Sequence, residues 1–344
     1  MKLYNIEGGE SSALENTNEL SELTETQKEY IKELDVPSSD WKTLLPEEKT
    51  EFVSDIKERM EEIGISDFEG QDKVLRESGC SPELLGEFRK EMYDEKMSAL
   101  ENIGKAQELT LDELKEECPQ MYETVQRMNE RLEGGDIMPS LHCYKNENGD
   151  FVLKSDLPVY ANTHMIVSDG VIYAKSGCDL KGNVEGFNYR NECINTTELL
   201  PNTAYVIDGR SMYEHDSRGR LIKETTVYSS DFSEKQPRDT SEQARFRDGK
   251  NAIEGDESSH SVPHCLGGAN ESINQLPVSA DINRGEGSEW RANENDVTRH
   301  VHEGDTVYVE HTYSYEGESK RPINVTSETH VDGYANKLEF DNRR

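Results

Sequence analysis

The sequence predicts an α+β protein: an N-terminal helical module followed by a β-rich domain with an antiparallel sheet. Three observations predict it. Apolar residues recur at three- and four-residue spacing through residues 19–134. A Gly134-Gly135-Asp136 break with Pro139 behind it ends that periodicity. Short β-prone runs follow, punctuated by Asn148-Gly149, Asp169-Gly170 and Asp208-Gly209, dipeptides suited to tight hairpins. Three regions are therefore expected: a helical module over 1–134, a β-rich linker or sheet extension over 135–198, and a mixed domain over 199–344.

Residues 1–18 are polar and without periodicity, so a flexible start is expected. Helices are predicted over Glu22–Leu34, Pro46–Ile63, Pro82–Ile103 and Thr110–Leu132. Ser38-Ser39-Asp40 and Thr110-Leu111-Asp112-Glu113 supply cap chemistry, and Pro46 suits a first helical turn. Met92, Met97, Met121 and Met128 are expected to fill the core of this module. Its glutamate-rich faces read as solvated surface, with delivery, dimerisation or partner docking as the functional alternative. Strands are predicted at Phe151–Leu153, His164–Val167 and Val171–Ala174, then at Tyr205–Ile207, Ser211–Tyr213 and Leu221–Val227. A helix over Trp290–His302 is closed by Gly304, with His300 and His302 as favourable charges at its C-terminus. Val307–Tyr313 alternates as a strand, and Val331-Asp332-Gly333-Tyr334 reads as a tight turn.

Composition narrows the function classes. The chain has 344 residues, 33% hydrophobic content and a mean hydropathy of −0.88, yet its 15 tyrosines and regular apolar spacing argue against wholesale disorder. No run approaches the roughly 20 apolar residues of a membrane span. The start, Met1-Lys2-Leu3-Tyr4-Asn5-Ile6-Glu7, lacks the apolar core of a Sec signal peptide, so a cytoplasmic place or export by a dedicated secretion system is expected. Cys80, Cys118, Cys143, Cys178, Cys193 and Cys265 form no C-x-x-C pair, which argues against structural zinc and leaves free thiols with one possible Cys178–Cys193 bridge. The net charge is −33: residues 1–134 hold 35 acidic and 16 basic residues, and the remainder 36 and 22. Such a field opposes a polyanionic partner, since phosphate binding is dominated by Lys and Arg. A bound divalent cation would offset it locally, and Arg245, Arg247, Arg284, Arg291 and Arg321 are candidates for a small positive track.

The densest motif runs from Glu257-Ser258-Ser259-His260 through Gly267-Gly268, Asn274-Gln275-Leu276-Pro277 and Asp281-Ile282-Asn283-Arg284-Gly285 to Trp290-Arg291-Ala292-Asn293-Glu294. Upstream stand Leu200-Pro201-Asn202-Thr203 and Tyr213 to Arg220; downstream stands Tyr315-Glu316-Gly317-Glu318-Ser319-Lys320-Arg321-Pro322. In this order, residues 199–344 resemble the DNA/RNA non-specific endonuclease family, built on the ββα-metal (His-Me) finger. Ser259 stands where that family has a glycine and Glu257 where it has an aspartate, with Asp256 one further back. Three extra residues, Glu286-Gly287-Ser288, precede Trp290.

The resemblance implies metal-dependent hydrolysis of DNA or RNA phosphodiesters without sequence specificity. His260 would be the general base, for which an unperturbed pKa near ~6.5 suits. Asn283 would offer an uncharged oxygen to Mg²⁺ or another divalent cation such as Mn²⁺, a hard ion that keeps most of its waters. Glu294 would hold a metal-bound water, Arg284 and Arg291 would contact phosphate, and Asn274 would brace the site and border the substrate. His264 makes an H-x-x-x-H pair with His260, but Pro263 between them argues against a zinc-binding helix. Nucleic acid is the expected substrate, a cognate immunity or delivery protein a possible partner, and a bacterial toxin or effector the expected setting. A different class of reading keeps the fold and loses catalysis, leaving an acidic protein-binding or decoy module.

Overall fold

Alternation of side chains along short, apolar strands organises the whole chain. The computed structural model describes residues 24–132, 140–156, 163–177, 190–230, 240–284, 286–331 and 334–343. The expected flexible start, the break at 134–139, Cys178 and the turn at 332–333 lie outside these residues.

The helices are α1 (Glu25–Glu33), α2 (Ser38–Trp41), α3 (Pro46–Glu62), α4 (Phe68–Ser78), α5 (Pro82–Met97), α6 (Leu111–Glu117), α7 (Pro119–Arg131), α8 (Thr240–Gly249), α9 (Ala280–Arg284) and α10 (Glu289–Glu303). The strands are β1 (Gln107–Leu109), β2 (Leu141–Lys145), β3 (Phe151–Ser155), β4 (Met165–Ser168), β5 (Val171–Ala174), β6 (Ala204–Ile207), β7 (Ser211–His215), β8 (Leu221–Tyr228), β9 (Asp256–His260), β10 (Gln275–Ser279), β11 (Val307–Ser314), β12 (Asn324–Val331) and β13 (Tyr334–Asp341). Among the described residues, eleven strands form one sheet in the order β1 to β8, then β11, β12 and β13. Neighbours are antiparallel except β5 and β6, which run parallel with Ile172 opposite Tyr205. β9 and β10 form a separate hairpin.

Both faces of this sheet are covered. Along β6, Ala204 and Val206 join a core with α1 to α5, whereas Tyr205 and Ile207 join a second core with α6, α7, α10 and the β9–β10 hairpin. β5 divides in the same way, Val171 and Tyr173 against Ile172 and Ala174. Period-two alternation therefore builds three layers from one sheet. The sheet also runs without a break across the position where a linker was one reading: β2 to β5 lie in the same sheet as β6 to β8.

Local chemistry explains the helix limits. Thr110 caps α6 by accepting from Glu113 N, while the Glu113 carboxylate accepts from Thr110 N at 2.8 Å, a reciprocal capping box. The single helix expected over Thr110–Leu132 is two, because Pro119 restarts the chain as the first residue of α7. The helix expected to reach Ile103 ends at Met97 and unwinds into two 3-10 turns. α4 has an Asp67 cap and a left-handed Gly79 at its end, yet its buried face includes the polar Gln71 and Asp72, which interrupts the apolar pattern. Met92, Met121 and Met128 are buried in the cores. Asp169-Gly170 and Asp208-Gly209 both turn with two positive φ angles, as two-residue hairpins of right-handed twist require.

Candidate nuclease site

The candidate site grows from the β9–β10 hairpin and the short helix that follows it. β9 and β10 pair with His260 opposite Gln275 and Glu257 opposite Val278. α8 packs across both strands and α9 follows directly from β10. His260 ends β9 and is 7% exposed; its Nε2 lies 3.4 Å from Gln243 Nε2 of α8. The His264 ring stands 6.0 Å from the His260 ring, centroid to centroid. Among the described residues, no group of three or more His, Cys, Asp or Glu ligand atoms gathers around these two histidines.

Asn283 sits on α9 and donates from Nδ2 to Glu257 Oε2 at 2.8 Å. This hydrogen bond turns the amide oxygen away from the carboxylate. Arg284, from the same helix, forms an ion pair with the other oxygen, Glu257 Oε1. Glu257 thus faces α9, while its neighbour Asp256 points into the protein. There Asp256 is gripped by Arg321 through Nε–Oδ2 at 2.6 Å and Nη2–Oδ1 at 2.8 Å. The two acidic residues divide their duties by strand alternation, since successive side chains leave opposite faces.

The loop between the two strands is held from inside. Asn274 is fully buried; its Oδ1 accepts from Val262 N at 2.7 Å and Tyr213 Oη at 3.2 Å, and its Nδ2 donates to Val262 O and Ala269 O. Both polar atoms of its amide are thus taken up within the protein. Gly267 adopts φ 78°, and a Cβ at Gly268 would stand 2.0 Å from Val262 O, so the Gly-Gly pair is a steric requirement. Ser259, where the motif would carry glycine, lies in extended pairing with Leu276 without positive φ. Its buried Oγ is without a hydrogen-bond partner.

The remaining predicted residues scatter more widely. Glu294 is half-buried on α10, and its backbone carbonyl accepts from Thr298 Oγ1 at 2.7 Å. Arg291 is exposed in the first turn of α10, where its N–H donates to the Ser288 cap at 3.1 Å. The three extra residues resolve into a turn, Gly287 at φ 77° followed by Ser288, which caps α10 and donates to Ile282 O. The expected arginine track does not assemble as a set. Arg321 is buried on Asp256, Arg284 is paired with Glu257, Arg247 with Asp248 at 2.9 Å, and Arg245 lies over the Phe246 ring at 4.3 Å. His300 pairs with Asp305 at 2.9 Å past the end of α10.

Several residues around the hairpin carried no clear sequence signal. Lys250, buried at the end of α8, donates to Ser272 O and Gln275 O, both at 2.6 Å, and burial depresses its pKa to about 7. Glu271, also buried, accepts from Gly177 N and Asn191 N; burial raises its carboxyl to about 7. Cys193 is buried against Met128 Sδ at 3.7 Å. Glu257 was visible in the sequence, but only as a departure from the motif, and Gln243 gave no signal at all. Among the described residues, no helix is long and apolar enough to cross a membrane.

Residues 201–333 match the family model for DNA/RNA non-specific endonuclease. No curated protein matches the chain. Among solved structures, NucA from Streptococcus agalactiae with magnesium ion bound is similar at 14% identity and a TM-score of 0.32, over 44% of this chain and 77% of that one. The Sda1 nuclease with bound zinc ion is similar at 15% identity and a TM-score of 0.29, over 38% and 76%. An extracellular endonuclease is similar at 14% identity and a TM-score of 0.30, over 43% and 84%.

Proposed function

We propose, from the match of residues 201–333 to the DNA/RNA non-specific endonuclease model, that the chain hydrolyses DNA or RNA phosphodiesters with His260 as general base and a divalent cation held through Asn283. The observation that carries this reading is the Asn283–Glu257 hydrogen bond. It ties the helix bearing the amide to the strand that ends in His260, three residues further on.

The donor set fits a hard cation. Asn283 presents a neutral amide oxygen turned away from Glu257, whose carboxylate holds the amide nitrogen. Few protein ligands suit Mg²⁺ or Mn²⁺, which keep several waters. Such an ion, when bound, stabilises the charge that develops on the phosphoryl group and the departing oxygen. Asn283 fixes where the scissile phosphate lies, and Glu257 fixes Asn283. His260 Nε2 takes one proton from the attacking water as the new P–O bond forms. The bond from phosphorus to the 3′ oxygen breaks, giving a 5′-phosphate and, after protonation by solvent, a 3′-hydroxyl. Gln243 Nε2 stands 3.4 Å from the same nitrogen and must draw back from it for the proton to be taken. Arg291, exposed at the start of α10, is the freer of the two proposed phosphate contacts, because Arg284 must loosen from Glu257 to reach substrate. Glu294, as holder of a metal-bound water, rests on the resemblance alone, as do a toxin setting and an immunity partner.

The second reading, a binding module without catalysis, is favoured by one observation: Glu257 neutralises Arg284 on an already acidic chain. Titrating Mg²⁺ or Mn²⁺ into the full chain and into Asn283→Ala separates the two. A saturable, EDTA-reversible response in the wild type that weakens in the variant supports the nuclease. Identical responses in both, without cleavage, support the module.

A further inference from the structure

Two arginines join the outer helical layer to the loop behind His260. Arg89 of α5 is fully buried and spends its guanidinium on three neighbours. It donates to Asp72 Oδ1 at 2.7 Å and Oδ2 at 3.1 Å, to Thr225 O at 2.9 Å and Oγ1 at 2.7 Å, and to Arg210 O at 3.0 Å. The same Arg210 carbonyl accepts from Val227 N. Arg210, 5% exposed in the β6–β7 turn, sends its own guanidinium to the other side of the sheet. There it donates to Leu266 O at 2.9 Å and to Gly267 O. α5 is seated closely enough for this: a Cβ at Gly86 would stand 3.0 Å from Val227 Cγ1, and one at Gly209 would stand 3.1 Å from the Tyr93 ring.

The two carbonyls that Arg210 holds end the 3-10 turn His264–Leu266, where helical partners run out. Their position sets Gly268, whose N–H donates to Pro263 O, and Gly268 packs on Val262 O and Asn274 Nδ2. Val262 stands two residues after His260. We propose that Arg210 is a positioning residue for the cleavage reaction, fixing the loop from His260 to Asn274, and that Arg89 of α5 fixes Arg210. The helical half is then a working part of the nuclease. The inference rests on the nuclease reading above.

The test uses the full chain with Arg210→Met, Arg210→Lys and Arg89→Lys, reading amide hydrogen exchange beside steady-state cleavage of plasmid DNA. Arg210→Met is expected to raise exchange over residues 262–268 by about tenfold or more while β6 to β8 keep their protection. Its kcat should fall roughly ten- to a hundredfold, as small misplacements of catalytic groups do, with KM changed by less than about twofold. Arg210→Lys, which can hold one carbonyl, should fall between the wild type and Arg210→Met, and it decides the matter if the methionine variant does not fold. Arg89→Lys should move the same readouts in the same direction. Unchanged loop exchange in the Arg210 variants overturns the proposal, and so does exchange that rises equally across the sheet or a kcat that does not fall. A wild type that cleaves nothing defeats the nuclease reading instead, and the loop exchange still decides whether Arg210 holds the loop.

Discussion

Asn283 Nδ2 donates to Glu257 Oε2 at 2.8 Å, and the Arg284 guanidinium grips the other oxygen of the same carboxylate. Glu257 therefore orients one candidate site residue while occupying another. Its removal should release Arg284 and let the Asn283 amide rotate. Glu257→Ala is predicted to weaken divalent-ion activation on the order of tenfold or more, the usual scale for losing a group that orients a ligand. The midpoint of a Mg²⁺ titration of cleavage measures this.

Asp256, one residue earlier, is a structural group. Its bidentate pair with Arg321 is buried, and truncating one partner strands a charge. Arg321→Met should cost about 3–5 kcal/mol, and the double variant with Asp256→Asn should cost less. Urea unfolding of the wild type and the two variants gives the comparison.

Ser259 occupies a glycine position of the motif, yet its backbone is extended and its buried hydroxyl lacks a partner. Ser259→Ala removes a desolvated polar atom without touching the ladder. Stability should stay equal or rise by about 1 kcal/mol, and cleavage should persist. A large loss of activity would mean that the hydroxyl serves the site.

Lys250 and Glu271 make the pH dependence of stability unusual. Glu271 has its folded pKa raised from 4.5 to about 7, so the folded state holds an extra proton between those values and stability falls as pH rises through that window. Lys250 has its folded pKa lowered from 10.5 to about 7, so the unfolded state holds the extra proton and stability rises with pH above about 7. Together the two groups place a minimum near neutrality. Denaturant midpoints between pH 5 and 9 should lose the acid-side fall in Glu271→Gln and the alkaline rise in Lys250→Met.

Residues 199–344 alone should not fold. Without the preceding chain, β6 loses its β5 partner and Val206, Met212 and Val227 lose the α1–α5 layer. Exposing those three side chains forfeits roughly 5–9 kcal/mol, comparable with the whole stability of a typical domain. Circular dichroism and an amide NMR spectrum of the fragment should show loss of native order.

The α+β class and most strands were legible because hairpin dipeptides and short apolar runs are local signals. The hairpin, the Gly-Gly turn and α10 were legible as an ordered motif. Three layers from one sheet were not, since β5 and β6 are buried on both faces and read simply as apolar. Nor did the sequence reveal α4, whose Asp72 faces inward to meet Arg89. The inward hydrogen bonds of Asn274 were not legible, because a motif does not show where a side chain's hydrogen bonds go. Arg321 looked cationic and available for the same reason, and a buried partner 65 positions away had already claimed it.

The most direct test of the nuclease account is degradation of plasmid DNA and of RNA by the purified full chain, with Mg²⁺ and with EDTA, beside His260→Ala. The account predicts cleavage that needs the metal and vanishes in the variant. A folded, metal-supplied wild type that leaves both substrates intact, or a His260→Ala variant that cuts as well as its parent, would contradict it.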